Sequence, residues 1–116
     1  MDNRRMKDYF DLHYLTKTQA FDGAVMALAI QSAFHRRNTP LPRETPAGLL
    51  PAFGADTVKQ TQWRAFLRKL RAQEGALSLE EVVAELQGFL MPPVNALLQK
   101  QSFGWTWPPA GPWRRE

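Results

Sequence analysis

Apolar residues in this chain recur at three- and four-residue spacing in several windows, and nowhere do they alternate long enough to make a convincing strand. The first window predicts a helix over Arg4 to Lys17. At about 100° per residue, Met6, Phe10 and Tyr14 fall on one side of it. Leu12 and Leu15 fall on roughly the opposite side, together with Arg4, Asp8 and Asp11. A helix apolar on two sides calls for a partner on each. With this helix opening the sequence, the expectation is that a covering segment is missing.

Phe21-Asp22-Gly23 predicts the start of a second helix. Asp22 can cap its free amides and Phe21 can staple to Met26. Met26, Ala27, Ile30, Ala33 and Phe34 form its buried stripe. His35-Arg36-Arg37 suits the negative end of the helix dipole, and Asn38 suits the C-terminal cap. A proline-rich connection follows from Thr39 to Gly54, with Leu49, Leu50 and Phe53 marking one short helical turn. Asp56 then caps a strongly amphipathic helix over Thr57 to Glu74, stopped by Gly75. Trp63, Phe66, Leu67 and Leu70 are its core positions, and Arg64, Arg68, Lys69 and Arg71 its polar side.

Ser78-Leu79-Glu80-Glu81 reads as a capping box, stapled by Leu77 and Val82. The helix it opens buries Val82, Val83, Leu86, Phe89 and Leu90. Pro92-Pro93 should break or kink it, with Pro93 suited to the first turn of a continuation through Val94, Leu97 and Leu98. The predicted fold is all-α, four or five helices in a bundle-like domain over residues 1–101. Residues 102–116 form a tail with Trp105, Trp107 and Trp113 among prolines, expected to wrap back over the domain. Three free tryptophans would be a solubility liability.

Composition narrows the chemistry. The 116 residues are 44% apolar and 22% charged, which is ordinary for a globular chain. The sequence has no cysteine, which excludes disulfides, thiolate metal sites and a cysteine nucleophile. No apolar run approaches the ~20 residues of a membrane span, and the charged N-terminus lacks a signal peptide's apolar core. The expected compartment is the cytoplasm, with no membrane partner. Net charge is +4, gathered at Arg4–Lys7, Arg36–Arg37, Arg64–Arg71 and Arg114–Arg115. These clusters either meet phosphate or keep helix surfaces soluble.

His13 and His35 sit on different predicted helices without ligand-spaced companions, and no Gly-rich phosphate loop is present. The remaining candidates are Arg4, Lys7, Asp8 and Asp11. Two carboxylates at i and i+3 can help hold Mg²⁺ together with substrate phosphates, or one can serve as general base. The same residues can instead form surface ion pairs, Lys7 with Asp11 and Arg4 with Asp8, worth about 0.3–0.5 kcal/mol for such an exposed helical pair.

Arg5-Met6-Lys7-Asp8-Tyr9-Phe10-Asp11-Leu12 resembles the Arg/Lys-Asp-x-x-Asp-Leu motif late in the AbiEii/AbiGii family of nucleotidyltransferase toxins. The similarity continues in order through Phe21-Asp22-Gly23, Arg36 to Pro42, Gln62 to Leu67, Ser78 to Val83 and Trp107-Pro108-Pro109. The resemblance implies transfer of a nucleotidyl group from an NTP, with Mg²⁺, to an RNA or protein acceptor. It also implies a role in abortive-infection (phage-defence) toxin–antitoxin pairs, with a cognate antitoxin as partner. Asp8 and Asp11 become active-site acids, Lys7 a phosphate or ion-pair contact, and Arg4 a nucleotide contact. In that family an α/β core supplies a Gly-Ser or Gly-Gly turn and an Asp-x-Asp metal motif, neither of which occurs here. The expectation is a truncated or split form, inactive alone and dependent on a separate core. A rival expectation is a small module that binds nucleic acid through Arg64, Arg68, Lys69 and Arg71, or protein through the tryptophan tail.

Overall fold

The sequence's strongest helix signals are realised where they were read. The structure, a computed structural model, describes residues 4–71 and 77–115, residue 4 by its backbone alone. Among these residues the helices are α1 (Arg4–Thr18), α2 (Gly23–Arg36), α3 (Pro51–Ala55), α4 (Thr57–Leu70) and α5 (Leu79–Leu98). A 3-10 turn over Ala47–Leu49 precedes α3.

The chain is mostly helical and not strictly all-α. Three short strands, β1 (Phe21–Asp22), β2 (Trp105–Trp107) and β3 (Arg114–Arg115), form an antiparallel sheet in the order β1-β2-β3. Phe21 pairs with Trp107, and Trp105 with Arg115. Strands of two or three residues are too short to show a period of two, so pairing and not propensity creates them.

The chain divides into two compact units. One comprises residues 1–15 and 46–87, the other 16–45 and 88–116. Unit 1 is built helix on helix. Met6, Trp63, Phe66, Leu67, Leu79, Val82, Val83 and Leu86 form its buried core. α1 meets two neighbours there: Tyr9 stacks on Phe53 of α3, and Phe10 meets Trp63 and Phe66 of α4. Gly54 of α3 lies so close to the start of α5 that a Cβ there would stand 2.7 Å from the Glu80 Cα.

The caps are as the residue types dictate. The Asp56 carboxylate accepts from the Lys59 amide at 3.0 Å. Ser78 Oγ accepts from the Glu81 amide at 3.2 Å, and Glu81 Oε1 accepts from the Ser78 amide and hydroxyl, closing the capping box. α4 ends at Leu70 and not at Glu74. Arg71, in the left-handed conformation at φ 55°, turns its amide back onto Leu67 and Arg68. Glu74 and Gly75 themselves lie outside the described residues. Leu70, expected in the core, is 47% exposed because the helix stops at it.

Unit 2 has a different construction. α2 is capped by Asp22, which accepts from the Val25 amide at 3.1 Å. It closes through Asn38 at φ 51°, with the Thr39 amide donating to Phe34. Phe89, fully buried, is ringed by Phe21, Trp107 and Trp113 at centroid distances of 5.0, 4.8 and 5.8 Å. The tail does wrap back within this unit.

α5 runs through both prolines without a break. Pro93 has no amide to give the Phe89 carbonyl four residues back. The Trp113 indole N–H donates to that carbonyl at 2.9 Å instead. Pro92 deprives the Gly88 carbonyl in the same way, and Gly88 is exposed, where water can serve. The tail also closes the end of α1. The Thr16 carbonyl, among the last four of that helix and so without a helical donor, accepts from the Trp107 indole at 2.9 Å and the Ala110 amide at 2.8 Å.

Candidate functional site

The first turns of α1 bury one face and leave the other to solvent. Met6 is 1% exposed, whereas Arg5, Lys7, Asp8 and Asp11 are exposed. Helical spacing therefore gathers Lys7, Asp8 and Asp11 on one surface. Lys7 Nζ donates to Asp11 Oδ2 at 2.5 Å, with the side chains 64% and 51% exposed. That hydrogen bond, the Asp11 charge and, more weakly, the Asp8 charge hold the Lys7 ammonium above its ordinary pKa of 10.5. The Arg4 side chain, and with it the Arg4–Asp8 pairing, lies outside the described residues.

The helix carrying these charges is held from behind. The Tyr9 hydroxyl donates to the Gly48 carbonyl at 2.6 Å, and burial pushes the Tyr9 phenol above its usual value. The His13 ring is hydrogen-bonded to the Glu85 carboxylate of α5. Neither tie had a sequence signal. Tyr9 and Gly48 are 39 residues apart, and His13 and Glu85 are 72 residues apart. His13 is thus a satisfied, half-buried histidine.

The arrangement can offer a cation and two carboxylates to an incoming ligand from one solvent-facing turn. It does not by itself make a Mg²⁺ site. One Asp11 oxygen is engaged by Lys7, and among the described residues no group of three or more His, Asp or Glu side chains converges. Mg²⁺ asks for near-octahedral oxygen donors, and two carboxylates on one helical turn supply too few.

The sequence model of the family described as nucleotidyl transferase AbiEii toxin, Type IV TA system, matches residues 1–99. The chain belongs to the AbiEii family. That stretch contains the Lys7-Asp8-x-x-Asp11-Leu12 segment, both capped helices α4 and α5, and all of unit 1. No curated protein and no solved structure matches the chain. Among the described residues of this AbiEii chain, no helix is long and apolar enough to cross a membrane.

Proposed function

We propose that this AbiEii chain is the helical part of a nucleotidyltransferase toxin and presents Lys7, Asp8 and Asp11 to the transfer site. The observation that carries the reading is the exposed Lys7-Asp8-x-x-Asp11 face, lying inside the stretch matched by the family. An NTP donates its nucleotidyl group to a hydroxyl of an RNA or protein acceptor. The acceptor oxygen bonds to the α-phosphorus, the bond to the bridging oxygen breaks, and pyrophosphate leaves with that electron pair. The Asp8 carboxylate takes the hydroxyl proton as general base. Lys7, oriented by Asp11, meets the phosphate charge, and Arg4 adds a second cation.

The 116 residues contain no Asp-x-Asp pair. Mg²⁺ and the nucleotide therefore require carboxylates from a nucleotidyltransferase core, attached or separate, because aligned phosphoryl transfer depends on such clamps. In this reading the chain completes such a core and acts in the cytoplasm in phage defence, opposed by a cognate antitoxin. The test is label transfer from radioactive NTPs to total RNA or protein in the presence of Mg²⁺. The chain alone should give none. Adding the Asp-x-Asp core of an AbiEii protein should give transfer that Asp8→Asn and Asp11→Asn each reduce at least a hundredfold. Transfer by the mixture that ignores both substitutions, or no transfer by the mixture, would sink the reading.

A further inference from the structure

α4 is cationic without internal relief. From Thr57 to Arg71 the sequence holds Lys59, Arg64, Arg68, Lys69 and Arg71 and no Asp or Glu. Arg64, Arg68, Lys69 and Arg71 are exposed, and among the described residues none of them forms an ion pair with a carboxylate. The Arg64 guanidinium donates a long hydrogen bond to the Thr61 hydroxyl, at 3.4 Å. Concentrated like charge left uncompensated raises the local potential and attracts anions.

Two of these cations open onto a built cavity. Arg64 and Arg68, one turn or about 6 Å apart along the helix, line a groove of about 630 Å³. Leu67 and Leu77 give it apolar lining, and Ser78 and Glu81 at the start of α5 form its other wall. Among the described residues Glu81 is the one acid in this lining, and its Oε1 is held by the Ser78 amide and hydroxyl in the capping box. The 20-residue α5 also turns its positive dipole end toward this wall.

We infer that this groove binds a single-stranded phosphodiester chain, with consecutive phosphates on Arg64 and Arg68 and one unstacked nucleotide in the groove. Guanidinium groups grip phosphate oxygens in a bidentate fork, as they do carboxylates, and a cavity of this size holds a base, which a chain of carboxylates does not offer. The volume lies within the range of a small-molecule pocket, about 300–1,000 Å³. An extended acidic peptide could also meet Arg64 and Arg68, but unit 1 has no sheet edge among its described residues to pair with its backbone. Lys69 and Arg71 add sequence-independent attraction beside the groove. The inference stands whether or not the transfer reading holds.

The test is fluorescence anisotropy of the full chain with labelled RNA and DNA single strands of one sequence, each about 10 nucleotides long, within the site sizes of single-strand binders. An oligoglutamate of matching charge serves as the rival ligand. Both strands should bind, with log affinity falling by about 0.7 per phosphate contact per decade of salt. Arg64→Gln with Arg68→Gln should weaken binding at least tenfold and flatten the salt slope by about 1.4, two contacts at that value. Tighter binding of RNA would place a 2′-hydroxyl in the groove, and equal binding would assign recognition to the backbone alone. Arg36→Gln with Arg37→Gln, which removes the same charge from exposed positions at the end of α2, should bind like the unaltered chain, which separates this groove from general attraction. Unchanged binding by the arginine variant, salt-independent binding, no binding of either strand, or preference for oligoglutamate would overturn the inference.

Discussion

The two units solve the same problem, closing a small core, with different parts. Unit 1 buries aliphatic and aromatic side chains between helices at helical spacing, and its helix ends are closed locally, by Asp56 and by the Ser78–Glu81 box. Unit 2 caps α2 locally through Asp22, but serves a carbonyl of α1 and one of α5 from far away. Its tail residues reach the Thr16 carbonyl 91 residues back and the Phe89 carbonyl 24 residues back through tryptophan N–H groups. In unit 1 an aromatic ring is mainly volume. In unit 2 it is volume and donor together, since a buried carbonyl left unpaired costs about 1–3 kcal/mol.

This contrast can be broken most forcefully at Phe89. Phe89→Ala should cost about 3–5 kcal/mol in denaturant unfolding, because three aromatic neighbours lose their shared contact. Hydrogen exchange then reports where protection is lost. Loss confined to residues 16–45 and 88–116 keeps the units distinct. Uniform loss across the chain would show that they unfold as one.

A finer experiment separates ring from donor. Trp113→Phe keeps an aromatic ring but strands the Phe89 carbonyl, and should cost about 1–3 kcal/mol. Adding Pro93→Ala restores a backbone amide at the position that carbonyl faces. The double variant should therefore be more stable than Trp113→Phe alone by about 1 kcal/mol. If Pro93→Ala gives the same change in both backgrounds, the two sites are uncoupled and the donor role is wrong.

These same particulars show what the sequence could and could not reveal. Asp22, Asp56 and Ser78–Glu81 were legible because a cap and its amide lie within three residues of each other. Helical angle placed Asp8 and Asp11 on one side of α1 and spaced Lys7 to pair with Asp11, but Leu12 and Leu15 share that side, so its exposure was not legible. The β1-β2-β3 sheet was not legible, since two-residue strands owe their conformation to partners 84 or more positions away in the case of β1 and β2. The passage of α5 through Pro92-Pro93 was hidden for a related reason, because the compensating donor sits in the tail. The ties that steady α1, Tyr9 to Gly48 and His13 to Glu85, are likewise long-range. Leu70 had the right spacing for burial but sits at the last position of its helix.

The smallest effect lies on the Lys7–Asp11 face. Folding raises the Lys7 pKa, so the pairing with Asp11 stabilises the fold fully below the ordinary lysine value of 10.5 and is lost as pH rises through the raised value. Both groups are exposed, so unfolding curves should hardly register Asp11→Asn. An NMR titration of the Lys7 ammonium should. Its midpoint, above 10.5 in the unaltered chain, should fall back in the Asp11→Asn variant. An unmoved midpoint would mean that Asp11 does not orient Lys7.

The sheet has one more consequence, for how this chain keeps to itself. β1 and β3 are its open edges, and each is only two residues long. Open edges invite another chain to add a strand, and shortness and positive charge discourage it. β3 is Arg114–Arg115, with the Arg115 guanidinium 5.9 Å from the Trp105 ring centroid. Two molecules meeting edge to edge would bring four guanidinium groups together beside a half-covered tryptophan. Shortness and the two arginines thus make β3 a poor template for a strand from another molecule.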